Sequence, residues 1–393
     1  MKLPERFSNL PAYAFPRLRA LLDVHEPGGD IVHMTIGEPK HAFPDWVTQV
    51  IVDNAALFNN YPQNEGTDAL RGAISDWLAR RYGVSVDPDL QVLPLNGTRE
   101  GLYNAAMALC PETKNGKRPV VLTPNPFYQV YMVAALSVGA EPVYVPATAA
   151  TNHLPDYAGL DPEILNRTAI AYICSPANPQ GAVADEAYWM QLIDLAERYD
   201  FRILADECYS EIYSDTPPPG ALAAALKSGA NPERVTVFHS LSKRSNLPGL
   251  RSGSVAGGPE TIAAMRQLRT YAGAPLPGPM QAAAAAVWND ETHVETNRAL
   301  YQEKYAIADS IFDGVQGYQP PEAGFFLWLP VDDGETTALK LWQETGIRVL
   351  PGAYLAQGTG ADNPGTGFIR VAMVAPKDNM QRALKTLRNS VYG

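Results

Sequence analysis

The stretch Ser240-Leu241-Ser242-Lys243-Arg244-Ser245-Asn246-Leu247-Pro248-Gly249-Leu250-Arg251-Ser252-Gly253 follows an apolar run, Val235 to Phe238, that reads as a buried strand. It therefore begins where an open parallel sheet presents its ligands, at the carboxyl end of a strand. Lys243 is bracketed by the hydroxyls of Ser240 and Ser242, and Arg251 follows after a Pro-Gly turn. A dianionic phosphate asks for hydroxyl donors and a guanidinium fork. An aldehyde asks for an amine with which it can condense. One short segment offers both.

Pyridoxal phosphate is the cofactor that needs both, and the pattern S-x-S-K followed by G-x-R-x-G resembles the lysine signature of the fold-type I aminotransferases of class I/II. The resemblance implies that Lys243 carries the cofactor and that Ser240, with Ser242 beside it, and Arg251 hold its phosphate. It also implies an α/β fold: a large domain with a mainly parallel, seven-stranded type of sheet between helices, and a smaller α+β domain.

Composition agrees with a folded chain of that size. The 393 residues suggest two or three domains, and 46% hydrophobic with 19% charged residues can bury a large core. A net charge of −11 and no cluster of Lys and Arg argue against a nucleic-acid surface. No apolar run approaches the ~18 residues of a membrane span, and the opening Met1-Lys2-Leu3-Pro4-Glu5-Arg6 lacks an apolar signal core. Cys110, Cys174 and Cys208 are too few, and odd in number, for a disulfide framework, so each reads as a small buried hydrophobe. A cytoplasmic chain with no metal site is expected.

Other motifs fall in the order the resemblance requires. Gly37, before Glu38-Pro39, marks a turn; in the family such a loop lies over the substrate carboxylate. Asn60-Tyr61-Pro62 leads into a helix with Leu70, Ile74, Trp77 and Leu78 at helical spacing. The family's equivalent of Tyr61 reaches the phosphate of the other subunit, which implies a homodimer with shared active sites. Val92 to Leu95 runs into Asn96-Gly97-Thr98-Arg99-Glu100, a strand–turn–helix junction that aims backbone N–H groups at one point and suits a phosphate. Gly97, Thr98 and Arg99 are therefore cofactor candidates. Tyr128 matches the family's ring-stacking position, with a core aromatic as the competing reading. Ser175-Pro176-Ala177-Asn178-Pro179-Gln180-Gly181 is similar to the N-P-x-G turn, whose Asn hydrogen-bonds the cofactor's phenolic oxygen and reaches substrate. Asp206, closing the apolar strand Phe201 to Ala205, is costly to bury without a cation. The D-E-x-Y match gives it the pyridinium nitrogen and gives Tyr209 the phenolic oxygen; a helix-capping Asp is the alternative.

After Gly253 a helical pattern from about Gly278 to Phe312 breaks near Asn289, and the chain then changes to an α+β pattern. The expected division is a large cofactor-binding domain over 46–280 and a small domain formed by 1–45 with 281–393. Arg370 lies in an apolar strand, and the resemblance assigns it the substrate's α-carboxylate, held bidentately. Ile36 to His41, Asn96 to Glu100, Pro124 to Tyr131, Phe238 to Gly253 and Asn363-Pro364-Gly365 look like the bacterial N-succinyl-L,L-diaminopimelate aminotransferases of lysine synthesis. That likeness implies transamination between glutamate/2-oxoglutarate and the succinylated substrate pair, with an aspartate or broad-specificity aminotransferase as the alternative. A long substrate with further carboxylates needs positive charge near the mouth, for which Lys40, Arg99 and Arg244 are candidates. A hydride-transfer enzyme would need G-x-G-x-x-G after an early strand; Gly358-Thr359-Gly360-Ala361-Asp362-Asn363 fails at its last position.

Overall fold

The computed structural model describes residues 5–8, 10 and 12–393; residues 1–4, 9 and 11, in the expected N-terminal part of the small domain, lie outside the described residues. The strands are β1 (Val32–His33), β2 (Val92–Leu95), β3 (Val120–Asn125), β4 (Glu141–Pro146), β5 (Thr168–Cys174), β6 (Arg202–Asp206), β7 (Val235–Ser240), β8 (Gly253–Ala256), β9 (Phe326–Pro330), β10 (Ile347–Arg348), β11 (Leu350–Pro351) and β12 (Phe368–Ala372).

Seven of them form one sheet in the order β2-β8-β7-β6-β5-β3-β4. Only β8 runs against its neighbours, and the other pairs are parallel. Since β2 and β7 both oppose β8, they share a direction, and the carboxyl ends of β2, β3, β4, β5, β6 and β7 lie along one edge. β5, β6 and β7 read as continuous apolar runs because both faces are covered. Alternate residues go to opposite cores: Ala171, Ile173, Ile203, Ala205, Val235 and Val237 to one, Ile170, Tyr172, Leu204 and Phe238 to the other.

Helices supply those covers. Asp68–Tyr82 begins where the Thr67 hydroxyl accepts from Leu70 N and stops at Gly83, whose φ of 68° an L side chain would resist. Its Leu70, Ile74, Trp77 and Leu78 are buried together with Trp189 and Trp288. On the other face lie helices Thr98–Leu109 and Gln129–Ser137, with Leu102 and Tyr131 inward.

The second layer is the antiparallel sheet β11-β12-β9, packed with helices Thr292–Phe312, Gly334–Thr345 and Lys377–Tyr392 around Phe325, Leu341, Val371 and Leu384. The apolar stretch Ile31 to Ile36 forms a strand only at β1, which among the described residues pairs with the two residues of β10. The helical pattern ending at Phe312 does divide, into Gly278–Asn289 and Thr292–Phe312. Helix Gly278–Asn289 packs on Asp68–Tyr82, whereas Thr292–Phe312 packs on Lys377–Tyr392. We propose that the seam between the two domains lies at this elbow, about ten residues beyond the boundary expected at 280.

Candidate active site

The sheet edge where six strands end carries the site. Ser240 closes β7, and its Oγ accepts from Ser242 N at 3.1 Å, capping the short helix Leu241–Arg244. That cap turns Lys243 back over the sheet, where its Nζ donates to the Gly37 carbonyl and stands 5.4 Å from the Phe325 ring centroid and 5.9 Å from that of Tyr209. Burial pushes the Lys243 ammonium down to about 8, with the nearby Arg370 charge acting in the same direction.

One strand over, Asp206 ends β6. Its carboxylate accepts from Tyr131 Oη at 2.8 Å and from Cys208 N at 3.3 Å, and burial raises its pKa against those donors. Tyr131 is held in turn by stacking on Tyr172, with centroids 4.6 Å apart. Tyr131 entered the sequence reading only as the end of the stretch Pro124 to Tyr131, with no role at the site; its spacing three residues beyond Tyr128 was the available signal.

From β12, Arg370 donates to Asn178 Oδ1 at 2.9 Å and to the Thr35 carbonyl at 2.6 Å, and its guanidinium lies 4.2 Å from the centroid of Phe326. It is only 4% exposed, and burial lowers its pKa to about 10. Its Nε has no partner among the described residues. Each terminal nitrogen keeps a second N–H beyond these bonds, and the guanidinium lines the cavity, where a carboxylate could accept from it.

Gly37, Thr98, Arg99, Tyr128, Asn178, Asp206, Tyr209, Lys243 and Arg370 line one cavity of about 220 Å³, together with Cys174, Cys208 and Phe326. Cys174 and Cys208 are thus cavity residues, beyond the small hydrophobes the sequence suggested, and the Cys208 thiol is 3.1 Å from Thr98 Oγ1.

Gly97 and Arg251 adjoin that group. Gly97 has φ 83°, and a Cβ there would fall 2.2 Å from the Arg251 guanidinium, so only glycine permits this approach. Ser240 pairs in register with Gly253, and a Cβ at Gly253 would meet Thr98 N at 3.3 Å. The Gly97-Thr98 turn, Ser240 and Arg251 therefore converge at one end of the site.

Three candidates behave differently. Tyr61 is fully exposed and away from the cavity of its own chain. Lys40 is exposed and paired with Glu38. Arg244 points the other way: it is buried against Trp77 and Trp288 and bonded to Glu291 at 2.9 Å, so it is withdrawn as a contact for a distal carboxylate. An arginine beside Lys243 in sequence falls on the opposite side of a helix only four residues long.

The sequence profile of the family "Aminotransferase class I and II" matches residues 29–387. The chain belongs to this family. This class I and II aminotransferase is 32% identical to the LL-diaminopimelate aminotransferase of Moorella thermoacetica, over 99% of this chain and 98% of the relative. It is 30% identical to the enzyme of that name from Dehalococcoides mccartyi, over 99% of each. Among solved structures, an aminotransferase from Neisseria meningitidis superposes with a TM-score of 0.93 at 38% identity, over 98% of this chain and 99% of that one. An aminotransferase from Helicobacter pylori gives 0.91 at 31%, over 98% and 100%.

Pyridoxal phosphate is the cofactor of the family, and the residues present fit it. The site offers a buried carboxylate, an amine whose pKa burial lowers to about 8, a glycine-permitted approach to a guanidinium, and a buried arginine lining the cavity.

Proposed function

We propose that this aminotransferase moves an amino group between glutamate/2-oxoglutarate and a diaminopimelate-type amino acid in its N-succinylated form, as a step of lysine synthesis. The observation that carries this reading is a pair of arginines at two depths of one cavity. Arg370 lies deep, beside Asn178. Arg99 lies toward the mouth, its Nε donating to Tyr128 Oη at 2.7 Å while its terminal nitrogens make no other side-chain hydrogen bond to described residues. That spacing suits a substrate with carboxylates at both ends.

The acids near the mouth are already engaged. Glu100 accepts from Asn96 N at 3.1 Å and faces Arg269, and Glu38 is paired with Lys40. A free distal ammonium would want an unengaged carboxylate, and a succinylated one would not, which favours the acylated substrate. The relatives named LL-diaminopimelate aminotransferase favour the second reading, the unacylated LL-diaminopimelate.

When bound, pyridoxal phosphate supplies an electron sink that acidifies the substrate Cα–H. In our reading Lys243 is the amine that anchors the cofactor and the base that moves that proton. With a pKa near 8, roughly a tenth of the free amine is unprotonated at pH 7, against about 0.04% for an unperturbed lysine. Asp206 holds the ring nitrogen's proton, and Tyr131 keeps Asp206 oriented. Asn178 and Tyr209 would hold the phenolic oxygen, and Tyr128 would lie against the ring. Gly97, Thr98, Ser240, Ser242 and Arg251 receive the phosphate. Arg370 receives the α-carboxylate under the Gly37 turn. The exposed Tyr61 is assigned to the site of a second copy, in a homodimer.

The test is a transamination assay of the purified holoenzyme with 2-oxoglutarate against succinylated and free LL-diaminopimelate, aspartate and aromatic donors. A higher kcat/KM for the succinylated compound supports the reading; preference for the free compound gives the second reading, and preference for aspartate or aromatic donors overturns both. Full activity of a monomer at high dilution overturns the shared site.

A further inference from the structure

The segment after Lys243 is held from one side by the elbow between helices Gly278–Asn289 and Thr292–Phe312. Arg244 donates to the Val287 carbonyl at 3.0 Å, the Asp290 carbonyl at 3.2 Å and Glu291. Ser245 Oγ lies 2.8 Å from His293 Nε2, and the other ring nitrogen of His293 is bonded to the Asp290 carboxylate. Ser245, His293 and Asp290 have the order of a hydrolytic triad, but Ser245 is wholly buried, out of reach of any substrate. They form a brace.

One turn further along the second helix, Asn297 is 3% exposed and uses both ends of its amide. Its Nδ2 faces the carbonyls of Lys243, at 3.4 Å, and Arg244, at 3.5 Å. Its Oδ1 accepts from Asn246 Nδ2 at 3.0 Å and from His41 Nδ1, carrying the ring proton, at 2.9 Å. Asn246 Nδ2 also donates to the Ala42 carbonyl at 3.3 Å. The segment that contains His41 and Ala42 starts at Gly37, whose carbonyl holds Lys243 Nζ. The lysine and this segment are therefore joined twice, directly at Gly37 and through one buried amide at the other end.

A four-residue helix is too short to hold itself, and its last carbonyls have no partner within the helix. Asn297 supplies a donor to those carbonyls and an acceptor to the facing segment. We propose that Asn297 is a positioning residue of the amino-transfer site, locking the Lys243 helix and the segment 37–42 into one fixed relation. The inference rests on the role assigned above to Lys243. Displacing a reacting group by about 1 Å costs on the order of 10²-fold in rate, so the effect belongs in kcat; substrate capture by Arg370 is left in place.

The test is hydrogen–deuterium exchange and steady-state kinetics on holoenzyme carrying Asn297→Ala. Exchange is expected to rise at least fivefold in both 38–42 and 243–247, with kcat down roughly 10- to 100-fold and KM for the amino donor changed by less than about threefold. Asn297→Asp, which retains the acceptor and loses the donor, is expected to raise exchange in 243–247 alone. Should Asn297→Ala not fold, His41→Phe keeps a ring against Tyr301 (4.6 Å between centroids) without the donor; faster exchange in 38–42 and a several-fold lower kcat are expected. Folded Asn297→Ala or His41→Phe with unchanged exchange in 38–42, or with kcat within twofold of wild type, overturns the proposal. The exchange readout is independent of chemistry, so an error in the role of Lys243 would leave the exchange changes in place while Lys243→Ala retained turnover.

Discussion

Lys243 and Lys304 are two buried lysines in nearly the same electrostatic state. Burial pushes each down to about 8. Each donates to a backbone carbonyl, Gly37 for Lys243 and Met373, at 3.0 Å, for Lys304. Each has an aromatic ring beside it, with Lys304 Nζ 5.1 Å from the Tyr301 centroid. Their surroundings separate them. Lys243 opens into the cavity that also holds Asp206, Asn178 and Arg370. Lys304 lies against the Met373 carbonyl within the second layer and is not among the residues that line that cavity. A shifted pKa reports desolvation in both; only the cavity and its convergent polar groups turn desolvation into a site.

Substitution is the strongest way to break that contrast. Lys243→Ala is expected to lower kcat by roughly 10⁴-fold or more, since it removes both anchor and base, while Lys304→Met leaves kcat within a few-fold. Stopped-flow half-reactions on the two variants decide it, and comparable losses from both would erase the distinction. Asp206→Asn comes next. It keeps the shape and the Tyr131 bond but removes the buried charge, and losing one member of a buried ionic contact costs about 3–5 kcal/mol. The half-reaction is expected to slow by roughly 10²- to 10³-fold, with the fold intact by circular dichroism; near-normal single-turnover rates would make Asp206 a cap.

Much of this site was legible because its motifs are local. Ser240, Lys243 and Arg251 share twelve residues, and Asp206 with Tyr209 share four. The strand–turn–helix rhythm puts all such turns on one sheet edge. The partners that lie far apart in sequence were not legible: Tyr131 under Asp206, the Gly37 carbonyl on Lys243 Nζ, and Asn297 behind Lys243. Arg244 misled because adjacency to Lys243 says nothing about direction around a four-residue helix. The apolar stretch 31–36 yields only the two-residue β1 because Met34 alone of its large apolar side chains is fully buried and no ladder extends beyond β10.

The pH dependence of stability sharpens the contrast for Lys304. Its folded pKa, about 8, lies below the unfolded value of 10.5, so between those pH values the unfolded chain binds more protons. Stability contributed by this residue therefore rises as pH goes from 8 to 10.5, by about 3 kcal/mol at most, and is flat below 8. Urea titrations of wild type and Lys304→Met at pH 8 and pH 10 are expected to show wild type gaining on the variant. An unchanged difference would mean that Lys304 is solvated in the folded chain.

The same division between cavity-facing and enclosed cations separates Arg99 from Arg244, and it carries the smallest expected effect. Arg244 is enclosed by Trp77, Trp288 and Glu291, so its loss should reach catalysis only through stability. Arg99 sits at the mouth with Tyr128 on its Nε, a bond that raises its already high pKa and keeps it charged throughout the working range. If it meets the distal carboxylate of the succinylated substrate, Arg99→Ala removes one charge-assisted hydrogen bond, worth roughly 1.5–3 kcal/mol. That corresponds to about a 10- to 150-fold rise in KM for the long substrate, with a smaller change for glutamate, whose shorter reach leaves it on Arg370. Arg99→Lys should recover only part, because a single ammonium cannot keep both Tyr128 and the carboxylate. Equal effects on both substrates would move Arg99 to the cofactor and remove the two-arginine argument for a long dicarboxylate, while the aminotransferase itself would stand.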